Sequence, residues 1–174
     1  KGEILGLTGL AGAGRSETMR AIFGLDPLVS GKMYMDGKEI VNKNPRQAIN
    51  HGIAMVNEDR REYGLCLYRS ISEDISLPNL PVYQKGLLLN KRREKAENRK
   101  YAEMLTVKAA SLEEDAIALS GGNQQKVVLA KWLMSDPKVL ILDEPTRGVD
   151  VGAKSEIHSL MCEFARQGLA VIMI

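Results

Sequence analysis

Gly9-Leu10-Ala11-Gly12-Ala13-Gly14-Arg15-Ser16 follows the short apolar run Glu3–Thr8 and leads into Arg15–Phe23, a stretch suited to a helix. The octet fits G-x-x-x-x-G-K-[ST] at every position but one. Glycines at 9, 12 and 14 let successive backbone N–H groups curl around a phosphate chain. A helix starting behind such a loop points the positive end of its dipole at the same anion. Ser16 is placed to ligate Mg²⁺, and Glu17 follows it. The exception is Arg15, where the pattern wants lysine. Lysine is a slim point charge that can lie along phosphates. Arginine is a broad planar fork, so the exchange is not conservative in a tight cradle. Phosphate binding is expected to survive it, and neutralisation of the transition state to suffer. A tight strand-to-helix turn with no ligand is the alternative reading.

The rest of the chain fits a fold built around such a loop. With 174 residues, 44% hydrophobic and 26% charged, it has the length of one ordinary domain and enough apolar residues for a core. The net charge of +2 gives no reason to expect a nucleic-acid partner or a polybasic membrane anchor. No apolar run reaches the ~18 residues of a membrane span. Cys66 and Cys162 stand far apart, with no disulfide framework, metal motif or basic neighbourhood, and are expected to be inert and buried. The chain opens at Lys1 and closes inside the apolar run Leu169–Ile174. It therefore reads as a piece of a longer polypeptide, since a bare hydrophobic strand is a poor natural end.

Short apolar runs alternate with helical stretches. Glu3–Thr8 and Lys138–Leu142 read as buried strands, Gly52–Val56 and the closing apolar run as further strands, and Asp36-Gly37 as a hairpin turn. Helical stretches are expected at Leu87–Leu105, Lys126–Met134 and Glu156–Arg166. Strands separated by helices imply a mostly parallel sheet with crossovers. The segment from about Arg60 to Ser135 breaks the alternation and reads as a helical insertion. Within it, Lys91, Arg92, Arg93, Lys95, Arg99 and Lys100, with Lys85 upstream, are interspersed with Glu94 and Glu97, which suits a solvated helix face.

Val139–Leu142 ends in Asp143-Glu144-Pro145. An acid at the carboxyl end of a parallel strand sits where ligands bind in open α/β sheets. Asp143 can hold Mg²⁺ directly or through water, and Glu144 can orient or deprotonate a water. A solvated turn before proline is the alternative. Further back, Leu119-Ser120-Gly121-Gly122-Asn123-Gln124-Gln125 precedes an apolar helix. Ser120 can cap that helix, and its glycines can expose N–H groups to an anion; a plain cap and turn is again the alternative.

The order of these segments is informative. A phosphate loop, a helical insertion, LSGGNQQ, a strand ending in DEPT and then Gly148-Val149-Asp150 together resemble the ATP-binding cassette family. GLAGAGRSE, NEDRREYGL (Asn57–Leu65), LSGGNQQK and DEPTRGVDVGAK further resemble the carboxy-terminal cassette of bacterial monosaccharide importers of the ribose, xylose and galactose type, whose chains carry two fused cassettes.

The resemblance implies an α/β fold: a P-loop NTPase core with a RecA-like parallel sheet, spanning 1–60 and 136–174, and an ABC-type helical subdomain at 61–135. It implies ATP and Mg²⁺ as ligands. Gly9 to Glu17 would form a degenerate phosphate loop, Ser16 and Asp143 would serve the metal, and Glu144 would be the general base. Ser120, Gly121, Gly122, Asn123 and Gln124 would act in trans on nucleotide held by another cassette, with Asp150 in the loop crossing between cassettes. Glu58 stands where the family usually has a glutamine that senses Mg²⁺ and the membrane partner. Implied partners are a first cassette or second copy, permease subunits and, indirectly, a periplasmic or extracellular sugar-binding protein. The implied place is the cytoplasmic face of the plasma membrane, peripherally bound. His51, His158 and Trp132 are expected to have no part in the chemistry, the last packing in the core.

Three readings stay open on sequence. One is a degenerate half whose main role is to lend its LSGGN turn. A second is a self-sufficient ATPase of this or a nucleoside importer. A third is a cassette protein of translation or DNA maintenance, disfavoured by the loop details and the missing basic surplus.

Overall fold

A computed structural model describes residues 2–10 and 12–174. Its first strand, β1 (Ile4–Gly6), is followed by α1 (Arg15–Phe23), the hairpin β2 (Met33–Met35) and β3 (Lys38–Ile40), α2 (Pro45–Asn50) and β4 (Ile53–Val56). Next come a π turn (Arg60–Gly64), α3 (Ile71–Ser76), α4 (Leu80–Tyr83), the hairpin β5 (Gln84–Lys85) and β6 (Leu88–Leu89), and α5 (Lys91–Met104). The chain closes with α6 (Gly121–Leu133), β7 (Val139–Leu142), α7 (Val151–Arg166) and β8 (Ala170–Met173).

β1, β8, β7 and β4 lie side by side in that order, and every pair is parallel. Parallel neighbours need crossovers, and the helices supply them. Residues along β4 and β7 alternate between two faces, as the period of a strand requires. Ile53, Met55 and Ile141 pack with Met19, Phe23 and Ala48 on one side. Ala54, Val56, Leu140 and Leu142 pack with α3, α5, α6 and α7 on the other. Trp132 touches both clusters and meets Phe23 edge to face, with ring centroids 5.6 Å apart. Among the described residues, no helix is long and apolar enough to cross a membrane.

Several expectations need correction. The strand expected to be buried over Glu3–Thr8 is only Ile4–Gly6 and is exposed, since it lies at one end of the sheet with β8 as its single strand neighbour among the described residues. The helix expected over Leu87–Leu105 starts at Lys91, because Leu88–Leu89 pairs with Gln84–Lys85 across Gly86 and Asn90 caps the helix. The second and third helices start earlier than Lys126 and Glu156. Ser120 caps α6 from Gly121, and Asp150 caps α7 from Val151. Glu94 does not belong to a solvated face. It is 3% exposed, accepts from the Ser76 hydroxyl at 2.7 Å and pairs with Lys91. Both cysteines are exposed rather than buried. Cys162 follows Met161 but faces away from the stripe Ala153–Ile157–Met161–Phe164 that α7 buries. Cys66 lies in an exposed loop, where its backbone N–H donates to Asp74 Oδ1 at 3.0 Å and its carbonyl accepts from Arg69 N–H at 2.7 Å.

Candidate functional site

The sheet order brings three loops to one edge. β1, β7 and β4 run parallel, so the segments after Gly6, Leu142 and Val56 all leave at their carboxyl ends. The loop after β1 is left-handed at Gly12 (φ 77°) and Gly14 (φ 79°), a conformation only glycine adopts freely. Among the described residues, a Cβ at either position would meet nothing within 4 Å. Ala13 N–H closes the turn onto Leu10 O at 3.1 Å. Ala11 lies outside the described residues.

α1 begins from Gly14 with no side-chain cap, whereas Asn90, Ser120 and Asp150 cap α5, α6 and α7. Its first N–H groups are thus left for an anion. Arg15 is half-buried, and its side chain folds back across the loop. Its Cδ and Nε lie 3.8 and 4.0 Å from where a side chain would start at Gly9. Glu17 is exposed in the first turn of the helix.

Ser16 Oγ donates to Asp143 Oδ1 at 3.1 Å, across 127 residues of chain. Asp143 is 4% exposed, and its backbone N–H bonds to Val56 O at 2.9 Å. A hydroxyl and a carboxylate at this spacing are hard oxygen donors of the kind Mg²⁺ takes alongside phosphate oxygens. Among the described residues, no group of three or more His, Cys, Asp or Glu could hold a metal by itself. The pair supplies two hard oxygen donors of the set a divalent cation would need.

Glu144 occupies a left-handed backbone conformation (φ 43°), a strained state for a residue with a side chain. Its carboxylate is half exposed and stands 3.9 Å from the Arg147 guanidinium. Arg147 also forms an ion pair with Glu58, so the two acids share one cation. A shallow cleft of about 310 Å³ opens beside them, lined by Glu144, Arg147, Lys154, His158, Met173 and Ile174.

Arg60, with Asp59, Arg61 and Glu62, reads in the sequence as a charge that docks a partner or lies in a polar loop, not as a clamp. It donates to the carbonyls of Arg147 at 2.7 Å and Gly148 at 3.1 Å. Burial, and secondarily the charge of Arg61, lower its pKa. Nothing in the polar run NEDRRE distinguishes Arg60 from Arg61, because its partners lie 87 and 88 residues away.

Ser120 Oγ accepts from Asn123 N–H at 3.5 Å and from its amide Nδ2 at 3.0 Å. Asn123 Oδ1 in turn accepts from Lys108 N–H at 2.8 Å. Gln124 is fully buried. It donates to Ala116 O at 3.2 Å and accepts from Arg61 Nε at 3.4 Å. Gly121 and Gly122 face the start of α7. A Cβ at Gly121 would come 3.0 Å from Gly148 O, and one at Gly122 would come 2.5 Å from Ala153 Cβ. Asp150 Oδ1 accepts from Ala153 N–H at 2.8 Å. Among the described residues, no hydrogen bond or ion pair links the Ser120–Gln124 turn to Gly9–Glu17.

Residues 1–147 match the ABC transporter family. The chain belongs to that family. It is 55% identical over 99% of its length to a protein of Rhizobium etli named for ribose, galactose and methyl galactoside import. It is 51% identical, over the same share, to the ribose import ATP-binding protein RbsA of Bacillus subtilis. This ABC transporter chain spans about a third of the length of those curated relatives, 33% and 35% respectively. Among solved structures, the ABC transporter cassette MJ1267 in its ADP conformation superposes with a TM-score of 0.82 at 23% identity. That match covers all of this chain and 70% of the other, and at that identity it speaks to the fold alone. CbiO1 of Clostridium perfringens, part of the transporter complex cbiONQ, matches with a TM-score of 0.77 at 26% identity, covering 99% of this chain and 66% of the other. The fold is that of an ABC-type P-loop NTPase with a parallel-sheet core.

Proposed function

We propose that this chain is an ATP-binding cassette of a ribose- or galactose-type sugar importer, one whose own phosphate loop is weakened and whose signature turn serves a second cassette. The observation that carries the reading is the Ser16–Asp143 contact of 3.1 Å beside the uncapped start of α1. It joins a phosphate-binding loop to an acidic strand end, which a plain turn has no need to do.

In this reading Gly9 to Gly14 receive the phosphates on backbone N–H groups, and Ser16 and Asp143 hold Mg²⁺. The metal would neutralise phosphate charge and hold the phosphate oxygens in line. Glu144, half exposed at the edge of its cleft, accepts a proton from an attacking water at its carboxylate. Arg15 reaches the same phosphates with a planar fork rather than a point charge, which supports binding better than turnover. Among the described residues, Ser120 to Asn123 make no bond to the Gly9–Glu17 loop, in keeping with action on nucleotide held elsewhere. The helical segment 61–135 is the subdomain that carries this turn, with Gln124 buried behind it. A first cassette or second copy and permease subunits complete the assembly at the cytoplasmic face of the membrane, and a sugar-binding protein acts indirectly from the periplasmic or extracellular side.

Calorimetric titration with Mg·ATP and with a non-hydrolysable analogue tests this. One site per chain is expected, weakened at least tenfold in Ser16→Ala and in Asp143→Asn. Absence of binding to either nucleotide overturns the reading. Turnover by the unaltered chain is expected to be slow and to rise in Arg15→Lys. Steady Mg²⁺-dependent turnover that Glu144→Gln abolishes and Arg15→Lys leaves unchanged would instead establish a self-sufficient ATPase.

A further inference from the structure

We infer that Arg60 is a positioning residue that clamps the turn after Asp143-Glu144 against the amino end of α6, so that the candidate base and the Ser120–Asn123 turn are set by one side chain. The inference rests on the ATPase reading for its catalytic consequence, and on geometry alone for the clamp.

Three observations carry it. Two nitrogens of the guanidinium donate to consecutive carbonyls, Arg147 O and Gly148 O, which a planar fork can do and a single ammonium cannot hold in the same way. Those carbonyls close the turn that begins at Glu144, where Arg147 N–H bonds back to Glu144 O at 3.0 Å. Glu144 is held at φ 43°, and a strained backbone persists only where its surroundings fix it.

The same guanidinium also lies against α6. A Cβ at Gly121 would fall 2.7 Å from Arg60 Nη2 and 3.0 Å from Gly148 O. The α6 start, the Arg60 fork and the Gly148 carbonyl thus occupy one tight junction, where a side chain at position 121 would displace the fork. Arg60 Nε is itself buried without a hydrogen-bond partner among the described residues, a cost accepted only where the other contacts fix the group.

The clamp has a firm base. Arg60 opens the π turn Arg60–Gly64, and the far end of that turn is held from a second direction. Lys131 Nζ donates to Gly64 O and pairs with buried Asp74 at 3.0 Å. The turn is therefore a short strut between the helical segment and the loop carrying Glu144. Arg147, whose carbonyl Arg60 holds, presents its own guanidinium to both Glu58 and Glu144. Displacing that carbonyl displaces the cation the two acids share.

Amide hydrogen exchange on this chain, without nucleotide, tests the clamp directly. In Arg60→Ala, exchange is expected to rise at least tenfold at both Arg147–Asp150 and Gly121–Asn123, with the sheet strands unchanged. Arg60→Lys should restore part of that protection. Gly121→Ala, which crowds the fork from the other side, should loosen the same two segments, and combining it with Arg60→Ala should add little. Unchanged exchange in both segments, or a uniform rise across the chain, overturns the inference.

In the assembled transporter, Arg60→Ala should lower kcat at least tenfold with KM for ATP nearly unchanged, and Arg60→Lys should fall between. An equal kcat in Arg60→Ala overturns the positioning role. Failure of the ATPase reading shows separately, as lack of Mg·ATP binding by the unaltered chain.

Discussion

At Gly122 the space for a side chain is already filled. A Cβ there would stand 2.5 Å from Ala153 Cβ, and neither helix backbone can yield locally. Gly122→Ala should therefore push α6 from α7 and cost about 1–3 kcal/mol, the usual penalty for forcing atoms into a packed site. Urea unfolding measures it; a midpoint equal to that of the unaltered chain would show the helices separate freely. Gly12→Ala is the useful contrast. Space is open there, and the whole cost comes from φ 77°. Both glycines stood out in the sequence as anion-binding positions. At Gly12 the requirement is a left-handed backbone, whereas at Gly122 the neighbour that forbids a side chain lies on another helix. Arg60 and Arg147 were harder still to read, because their roles consist of contacts with remote carbonyls and carboxylates that no local pattern encodes.

Elements with local punctuation were the most readable. α1 runs from Arg15 to Phe23 as its residues suggest, with Gly24 left-handed at its end, and Asp36-Gly37 makes the β2–β3 turn with φ of 50° and 77°. The starts of α6 and α7 were misplaced because apolar periodicity begins well after the caps Ser120 and Asp150. The β5–β6 hairpin escaped notice because two-residue strands have no periodicity to detect.

How α3, α6 and the π turn are joined was also beyond sequence. Lys131 and Asp74, 6% and 1% exposed, form a buried ion pair at 3.0 Å, and Asp74 also accepts from Cys66 N–H. Removing one partner leaves an uncompensated charge in the interior. Asp74→Ala should thus cost about 3–5 kcal/mol, while the apolar pair Asp74→Leu with Lys131→Met should cost markedly less. Chemical denaturation of the two variants checks this. Similar losses in both would mean that burial of the charge is not the governing cost.

For the molecule as a whole, the sheet order β1-β8-β7-β4 sets the site at one edge, while the helical segment meets it through α6 and the π turn. Stability of that segment should respond to alkaline pH through its tyrosines. Tyr83 is 2% exposed; its hydroxyl donates to Glu97 Oε2 at 2.8 Å and lies 3.1 Å from Met134 Sδ. Burial, then the bond to Glu97, push the Tyr83 phenol well above its ordinary value, and burial raises Tyr101 as well. The folded chain therefore keeps protons that the unfolded chain releases near pH 10. More protons bound in the folded state means stability that is complete below about pH 10 and declines above it, by up to ~1.4 kcal/mol per pH unit for each such tyrosine. Tyr83→Phe removes one of these groups. It should be somewhat less stable at neutral pH, having lost a hydrogen bond worth about 0.5–1.5 kcal/mol. Its stability should then fall less steeply than that of the unaltered chain between about pH 10 and 11. Urea unfolding at half-unit pH steps across that interval gives both slopes. Parallel curves would show that the Tyr83 phenol does not set the alkaline loss.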